Sequence, residues 1–219
     1  MGLFQRLKES CPDDWAAYTH HDFVEQLGKG SLPKECFQHY LKQDYIFLIH
    51  FARCHALAAY KSTKLSDIKR AQEGVSAIVD MELGLHLKYC AEWGIHEDEL
   101  DDLEESTANM AYTRYVMECG MSGGLLELYV ALAPCAIGYA EIGRRLASEQ
   151  LTPNNNPYAD WVEMYSGKEY LAAVDDMITY LDELAGDHLS KDREAELAKI
   201  FRNATRLEVG FWQMGLDLS

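Results

Sequence analysis

Residues 31–62 have the sequence SLPKECFQHYLKQDYIFLIHFARCHALAAYKS, and this stretch decides the class of fold. Ser31 and Pro33 indicate a helix start, because the first turn of a helix tolerates proline. Apolar residues then recur at spacings of three and four up to about Ser62, and the alternation of period two that a half-buried strand would show is absent. The stretch therefore predicts one unusually long helix.

The same spacing continues along the rest of the chain and predicts helices almost throughout. A second long helix should begin with Ser66 as its N-terminal cap and continue to about Trp93, and the segment LTPNNNPYAD at 151–160 has the composition of a loop. The other helices are expected near the N-terminus and at about 97–105, 107–119, 125–148, 168–185 and 190–213. The sequence therefore predicts an all-α helical bundle, and we take residues 1–219 as a single domain.

The size and charge of the chain restrict its function. A chain of 219 residues can bury a sufficient core without disulfides or a structural metal ion. Acidic residues outnumber basic ones, 36 to 20, and the resulting net charge of −16 repels phosphate backbones and anionic membranes. We therefore expect neither a nucleic-acid partner nor a membrane partner.

The N-terminus, the apolar runs and the cysteines favour a cytoplasmic location. The first ten residues, MGLFQRLKES, contain no apolar core of signal-peptide length, and the longest uncharged apolar run, Leu128–Ala140, is too short to span a bilayer. The six cysteines, at positions 11, 36, 54, 90, 119 and 135, form no CxxC pair and no zinc-like spacing. Such scattered cysteines are typical of reduced thiols in a cytosol.

Polar residues on apolar helix faces are candidate site residues, because burying them costs free energy unless they have partners. Asp44 lies on the aromatic face of the first long helix, between Tyr40 and Phe47. Its carboxylate could bond a neighbouring side chain for structural reasons alone, or it could accept the N–H groups of a ligand.

Cys135 lies on the apolar face of the predicted helix 125–148, and Tyr139 follows one turn later. A buried cysteine usually acts as a small apolar core residue. However, Pro134 leaves the carbonyl of Val130 without its helical partner beside the thiol, which often happens at functional sites. Cys135 is therefore a candidate nucleophile as well as a candidate core residue.

Glu208 lies on the apolar face of the last helix, between Ala204 and Phe211. Desolvation there should raise its pKa and help it to act as a proton donor, unless it merely satisfies a buried tyrosine or arginine. Tyr112 faces inward on the helix 107–119, although most of the 13 tyrosines will pack with their hydroxyl at the edge of the core. An aspartate, a cysteine and a glutamate on three inward faces indicate a site more strongly than any one of them.

The histidines give only weak evidence for a metal or haem. Glu82 and His86 could place two ligands on one helix face, but a di-iron bundle needs Glu-x-x-His motifs on several helices, and the sequence has no second copy. His20 and His21 could ligate haem, or they could cap or pack a turn. We therefore predict that the protein uses no metal and no cofactor.

Five segments of the chain, in their order and spacing, resemble the TenA family, the thiaminase II enzymes. They are HDFVEQLGKGSLPKECFQHYLKQDYIFLIHFARCHALAAYKS from His21, MAYTRYV around Tyr112, LAPCAIGYAEIG around Cys135, YADWVEMYSG around Tyr165 and ATRLEVGFWQM around Glu208. The resemblance covers essentially the whole chain. Two positions depart from the family's pattern: Asp22 stands where proline is frequent, and Phe47 stands where some members have tyrosine, so a stacking surface is kept but a hydroxyl is lost.

This resemblance implies a haem-oxygenase-like helical fold without haem, usually assembled as a homotetramer. It also implies a hydrolase that acts at the exocyclic CH₂ of 4-amino-2-methylpyrimidines. Such an enzyme splits thiamine, or releases ammonia from aminomethylpyrimidine to give hydroxymethylpyrimidine, in thiamine salvage. Because position 135 is a cysteine, the chain is similar to the cysteine-bearing branch of the family.

The resemblance further implies roles for individual residues. Cys135 would add as a thiolate to C6 of the pyrimidine, while Glu208 would protonate or hydrogen-bond the ring nitrogen. Asp44 would bind the 4-amino group, since an ionised carboxylate only accepts hydrogen bonds, and Phe47 would stack on the ring. Three tyrosines would orient polar groups, the last of them by holding the glutamate: Tyr112, Tyr139 and Tyr165.

Two other classes of function stay open at this stage. The first is an oxidase of the same fold, such as a haem oxygenase, a pyrroloquinoline-quinone synthase or a di-iron protein, which would use His20, His21, Glu82 or His86. The second is a regulatory binding protein without enzymatic activity, although the charge of −16 disfavours a DNA-reading element.

Overall fold

The computed structural model describes residues 1–96, 98–148 and 155–219, and within these ranges the regular structure is helical, without strands. This confirms the all-α prediction. A π-helix, Ala77–Glu82, joins two of the α-helices. The α-helices are α1 (Leu3–Glu9), α2 (Pro12–Thr19), α3 (Asp22–Lys29), α4 (Lys34–Lys61), α5 (Leu65–Ser76), α6 (Leu83–Glu92), α7 (Asp98–Asp101), α8 (Thr107–Ser122), α9 (Leu125–Ser148), α10 (Ala159–Ser166), α11 (Lys168–Ala185) and α12 (Lys191–Asp217).

The contacts within the chain define two compact units. The first unit comprises Met1–Leu32 and Tyr129–Gln213. The second unit comprises Pro33–Leu128 and Met214–Ser219. The assignment of residues 1–219 to a single domain stays a prediction.

Helix α4 confirms the long helix predicted from the opening stretch. It has 28 residues, and Pro33 occupies the position just before its first turn. Phe37 and Tyr40 on its predicted apolar face are 0% and 1% exposed. The spacing of three and four thus marks the buried face of this helix, as the geometry of 3.6 residues per turn requires.

The second predicted helix differs from the expectation in two ways. Helix α5 begins at Leu65 after Lys64, which makes no side-chain cap bond, so the prediction that Ser66 is the cap is wrong. The predicted single helix to Trp93 is interrupted by the π-helix. A single π-helical turn inside a helix changes the apolar spacing too little for the sequence to reveal it. Such turns often occur at functional sites.

The boundaries of three other helices also differ from those predicted. Helix α7 covers four residues of the predicted 97–105, and Glu97 lies outside the described residues. Helices α8 and α12 continue beyond their predicted ends to Ser122 and Asp217. Ser106 caps α8 by accepting a hydrogen bond from the amide of Asn109 at 3.1 Å.

The predicted loop at 151–160 is partly wrong. Residues 151–154 lie outside the described residues, and Ala159 and Asp160 already belong to α10, a helix that the sequence did not predict. Asn156, three residues before α10, has a side-chain amide that donates to the carbonyls of Leu27 and Gly28 at 2.9 and 3.1 Å. These bonds join distant parts of the chain, so local composition cannot indicate them.

Helix α9 is long and apolar enough to cross a membrane by length and composition alone. Its most apolar window has a mean hydropathy of 1.5, but 72% of that window is buried inside the protein. Such burial is typical of a core helix. Pro134 lies inside this helix, as the predicted range 125–148 implied.

Candidate active site

The predicted site residues are distributed over both units. Cys135, Tyr139, Tyr165 and Glu208 belong to the first unit, and Asp44, Phe47 and Tyr112 belong to the second. All of them are buried except Cys135, whose exposure is intermediate. The burial confirms that the other six side chains face inward, while the roles of all seven stay predictions.

Cys135 differs from the other five cysteines in its exposure to solvent. The others are buried, and burial raises the pKa of the Cys54 and Cys90 thiols to about 12. Because the thiolate is the reactive form, those two thiols are inert near neutral pH. Cys135 is therefore the cysteine best placed to meet a dissolved reactant.

Two tyrosine hydroxyls hold the backbone on either side of Cys135. Tyr18 donates to the carbonyl of Pro134 at 3.1 Å, and Tyr170 donates to the carbonyl of Ala136 at 3.0 Å. A hydrogen bond to a buried carbonyl restricts the position of the turn that carries it. The helical turn of Cys135 is thus fixed from two sides.

An aromatic cluster surrounds Tyr139 in the first unit. Its ring lies 4.8 Å from that of Tyr165 and 5.2 Å from that of Trp212, and Trp161 lies 4.6 Å from Tyr165. The structure thus brings the two predicted tyrosines together. It adds two tryptophans that the sequence analysis missed, Trp161 and Trp212, which are 2% and 0% exposed.

Glu208 lies on α12, one turn before Trp212, and is 1% exposed. Helices α9 and α12 meet where Trp212 contacts Tyr139. Cys135 lies one turn before Tyr139 on α9, as Glu208 lies one turn before Trp212 on α12. A carboxyl group this deeply buried loses the solvation of its charged form. This environment suits a group that carries a proton to a ligand.

In the second unit, α4 and α8 bring together the aromatic side chains of Phe47 and Tyr112. The two ring centres are 5.3 Å apart, and Phe51 lies 5.7 Å from Phe47 on the following turn. Asp44, one turn earlier on α4, is 7% exposed. This part of α4 therefore combines a buried carboxyl group with aromatic side chains one turn away, as small-molecule sites often do.

A buried amide network, which the sequence analysis missed, fixes α8 against α4. The side-chain amide of Asn109 donates to the backbone carbonyl of Gln43 at 2.8 Å, and the Gln43 side chain accepts from the amide of Ser106 at 2.9 Å. Gln43 adjoins Asp44, and Asn109 lies one turn before Tyr112. The sequence could have indicated this network, because Gln43 and Asn109 are polar residues on the inward faces of their helices.

The contacts of His86 lead to another helix. No group of three potential metal-ligating side chains occurs within the ranges that the structure describes. The imidazole of His86 contacts α4 instead, where Nε2 lies 2.9 Å from the carbonyl of Leu41 and Nδ1 lies 3.5 Å from Oδ2 of Asp44. Burial lowers the pKa of His86 and raises the pKa of Glu82 to about 7.

His21 has a capping role. Its Nδ1 accepts a hydrogen bond from the amide of Phe23 at 3.2 Å, at the N-terminus of α3. His20 ends α2, and its ring lies 3.1 Å from the hydroxyl of Thr19. The structure thus confirms the alternative in which these histidines cap and pack a turn.

Solved structures define the class of this fold. A domain with a heme oxygenase-like fold from Shewanella denitrificans, 13% identical in sequence, superposes with a TM-score of 0.77 over 98% of this chain and 92% of that chain. The helical architecture is therefore haem-oxygenase-like. Residues 11–218 match the model of the TENA/THI-4/PQQC family, and the chain belongs to that family.

Individual relatives agree with this assignment. A Haemophilus influenzae protein of uncharacterized function is 43% identical over 99% of this chain and 100% of its own length. An aminopyrimidine aminohydrolase from Halalkalibacterium halodurans is 35% identical over 99% of this chain and 96% of its own length. The crystal structure of a TenA family transcription regulator from Silicibacter sp. TM1040, 45% identical, has a TM-score of 0.92 and covers 98% of this chain and 96% of that chain.

Proposed function

We propose that this protein is an aminopyrimidine aminohydrolase of the thiaminase II type. It hydrolyses 4-amino-2-methylpyrimidine compounds at their exocyclic CH₂, with thiamine or its degradation product aminomethylpyrimidine as substrate, in thiamine salvage. The observation that carries the proposal is Cys135. Among the six cysteines it is the partly exposed one, on a helical turn that two tyrosines hold, in a chain whose relative from Halalkalibacterium halodurans is named for this activity.

Covalent catalysis by Cys135 divides a difficult displacement into easier steps. The thiolate adds to C6 of the pyrimidine while Glu208 delivers a proton to the ring nitrogen. The electrons gained by the ring expel the thiazole of thiamine, or ammonia from an aminomethyl group in its ammonium form, and leave an exocyclic alkene. Water adds to this alkene as hydroxide and releases its other proton to solvent. The ring nitrogen returns its proton to Glu208, and the C6–S bond breaks to regenerate the thiolate as aromaticity is restored.

Binding of the pyrimidine would depend on the second unit. Asp44 accepts the N–H groups of the amino substituent, and Phe47 provides the stacking surface beside Tyr112. The buried network of Gln43 and Asn109 keeps α4 and α8 in register, so the carboxylate and the ring are positioned before a ligand arrives.

Replacing Asp44 with alanine should weaken the binding of hydroxymethylpyrimidine by about 1–3 kcal/mol, because the ligand's amino group would then lack its partner in a desolvated site. Isothermal titration calorimetry of wild type and variant measures this directly. An unchanged dissociation constant would leave Asp44 with a purely structural role.

The substrate assignment is tested by comparing turnover of thiamine and aminomethylpyrimidine side by side, with ammonia and thiazole release as readouts. We expect hydroxymethylpyrimidine as the common product. A protein that binds these pyrimidines without hydrolysing any of them would instead support the regulatory alternative. An absorbing or iron-containing preparation would point to the oxidase alternative.

We also propose that the protein is a cytoplasmic homotetramer, as the family resemblance implies. Light scattering coupled to size exclusion should give a mass about four times the chain mass of 24.9 kDa. A mass equal to that of one chain would contradict the tetramer without affecting the assignment of the reaction.

A further inference from the structure

His86 connects two successive turns of the helix that carries Asp44. The imidazole belongs to α6 and is 7% exposed. Its Nε2 lies 2.9 Å from the carbonyl oxygen of Leu41, and its Nδ1 lies 3.5 Å from Oδ2 of Asp44. One ring thus contacts both the backbone and the side chain of α4, within three positions of each other.

The contact with Leu41 places a hydrogen on one nitrogen of the ring. A carbonyl oxygen only accepts hydrogen bonds, so Nε2 must carry a hydrogen and donate it to Leu41. Nδ1 then faces a carboxyl oxygen of Asp44 at 3.5 Å. A proton on either of these two atoms links the ring to the carboxyl group and holds the carboxyl group in a defined orientation relative to the α4 backbone.

A neighbouring thiol does not compete for this role. Cys90 lies one turn after His86 on α6. Burial, together with the charge of Asp44, raises the pKa of the Cys90 thiol to about 12. The thiol is therefore neutral near pH 7, whereas the imidazole of His86 lies 3.5 Å from the carboxyl group.

We propose that His86 is a positioning residue for Asp44, which orients the carboxyl group for recognition of an aminopyrimidine. This inference rests on the proposed function for its ligand. It assigns no contact between His86 and the substrate. Fixing a binding group in advance removes the conformational cost of ordering it when the ligand arrives.

Two conservative variants separate the contacts of the ring. The side-chain nitrogen of glutamine superposes on Nε2 of histidine, whereas that of asparagine superposes on Nδ1. His86→Gln can therefore keep the bond to Leu41 and loses the contact with Asp44, and His86→Asn does the reverse. We expect His86→Gln to weaken hydroxymethylpyrimidine binding about tenfold or more, and His86→Asn to bind within about threefold of wild type.

Calorimetric titration of both variants with hydroxymethylpyrimidine gives the decisive ranking. If His86 only supports the α4 backbone through Leu41, the order is reversed and His86→Gln binds like wild type, which overturns the proposal. His55→Asn is the matched control, because His55 is another desolvated histidine, with a pKa lowered by burial to about 4, and it lies on α4 well away from Asp44. It should leave the dissociation constant unchanged.

A double-variant cycle tests the pair independently of any ligand. Thermal unfolding is measured for wild type, Asp44→Ala, His86→Gln and the combined variant. Non-additive shifts in melting temperature support the contact, and additive shifts overturn the proposal. If wild type binds no pyrimidine but the cycle is non-additive, the proposed function fails while the pairing of His86 with Asp44 stands.

Discussion

Replacing Cys135 with serine is expected to reduce turnover by about 10² or more while pyrimidine binding stays close to wild type. Serine keeps the size of the side chain, but its hydroxyl is a far weaker nucleophile than a thiolate. The rate constant for ammonia release from aminomethylpyrimidine and the dissociation constant of the product should be measured on one preparation. A variant with the wild-type rate would contradict the thiolate mechanism and leave Cys135 as a core residue.

The control for this substitution is Cys36→Ser. Cys36 is buried and its thiol donates to the carbonyl of Leu216 at 3.5 Å, a bond that serine can also make. This variant should keep full turnover. Iodoacetamide should modify the native wild-type protein once and the Cys135→Ser variant not at all, because the other five thiols are buried. Labelling at a different cysteine would contradict this ranking of the thiols.

Replacing Glu208 with glutamine should lower the rate by about 10²–10⁴, the range typical of general acid–base catalysis. Glutamine keeps the size and can donate a hydrogen bond, but it cannot transfer a proton. The carboxyl group is 1% exposed, and burial favours its neutral, proton-carrying form. We therefore expect pyrimidine binding to change little, and the pH profile to lose the limb that this group controls.

A second buried carboxyl group provides the matched control for Glu208. Glu127 is 6% exposed and accepts a hydrogen bond from the amide of Gly124 at 2.7 Å, at the start of α9. Glu127→Gln should lower the melting temperature and leave the rate unchanged. If Glu208→Gln behaves in the same way, with normal turnover and reduced stability, Glu208 has a structural role only.

The site residues were predicted from the free-energy cost of burying polar groups without partners, and the structure shows that Asp44 and Glu208 are buried. Asp44, Cys135 and Glu208 were selected because polar groups on apolar faces are costly to bury without partners. Asp44 and Glu208 are indeed buried, and Cys135 is the least buried cysteine. Which partners satisfy these groups could not be predicted in the same way, because the partners come from other helices.

His86 shows this difference most clearly. In the sequence its nearest candidate partner was Glu82, four positions away on the same helix face, and the pair indicated a possible metal site. In the structure its ring contacts Leu41, 45 positions away, together with Asp44. A helical spacing identifies neighbours on one helix, but it gives no information about the helix packed against it.

The sequence by itself determined the helical class and the course of the long helices α4 and α9, because a 3.6-residue apolar period depends only on neighbouring residues. It also indicated that Asp44 and Glu208 face inward, but not the buried amides of Gln43 and Asn109. Tertiary structure alone decided the π-helix before α6, the helix α10 and the pairing of His86 with Asp44. Each of these depends on contacts between residues distant in the chain, whose free energy appears only when the helices pack together.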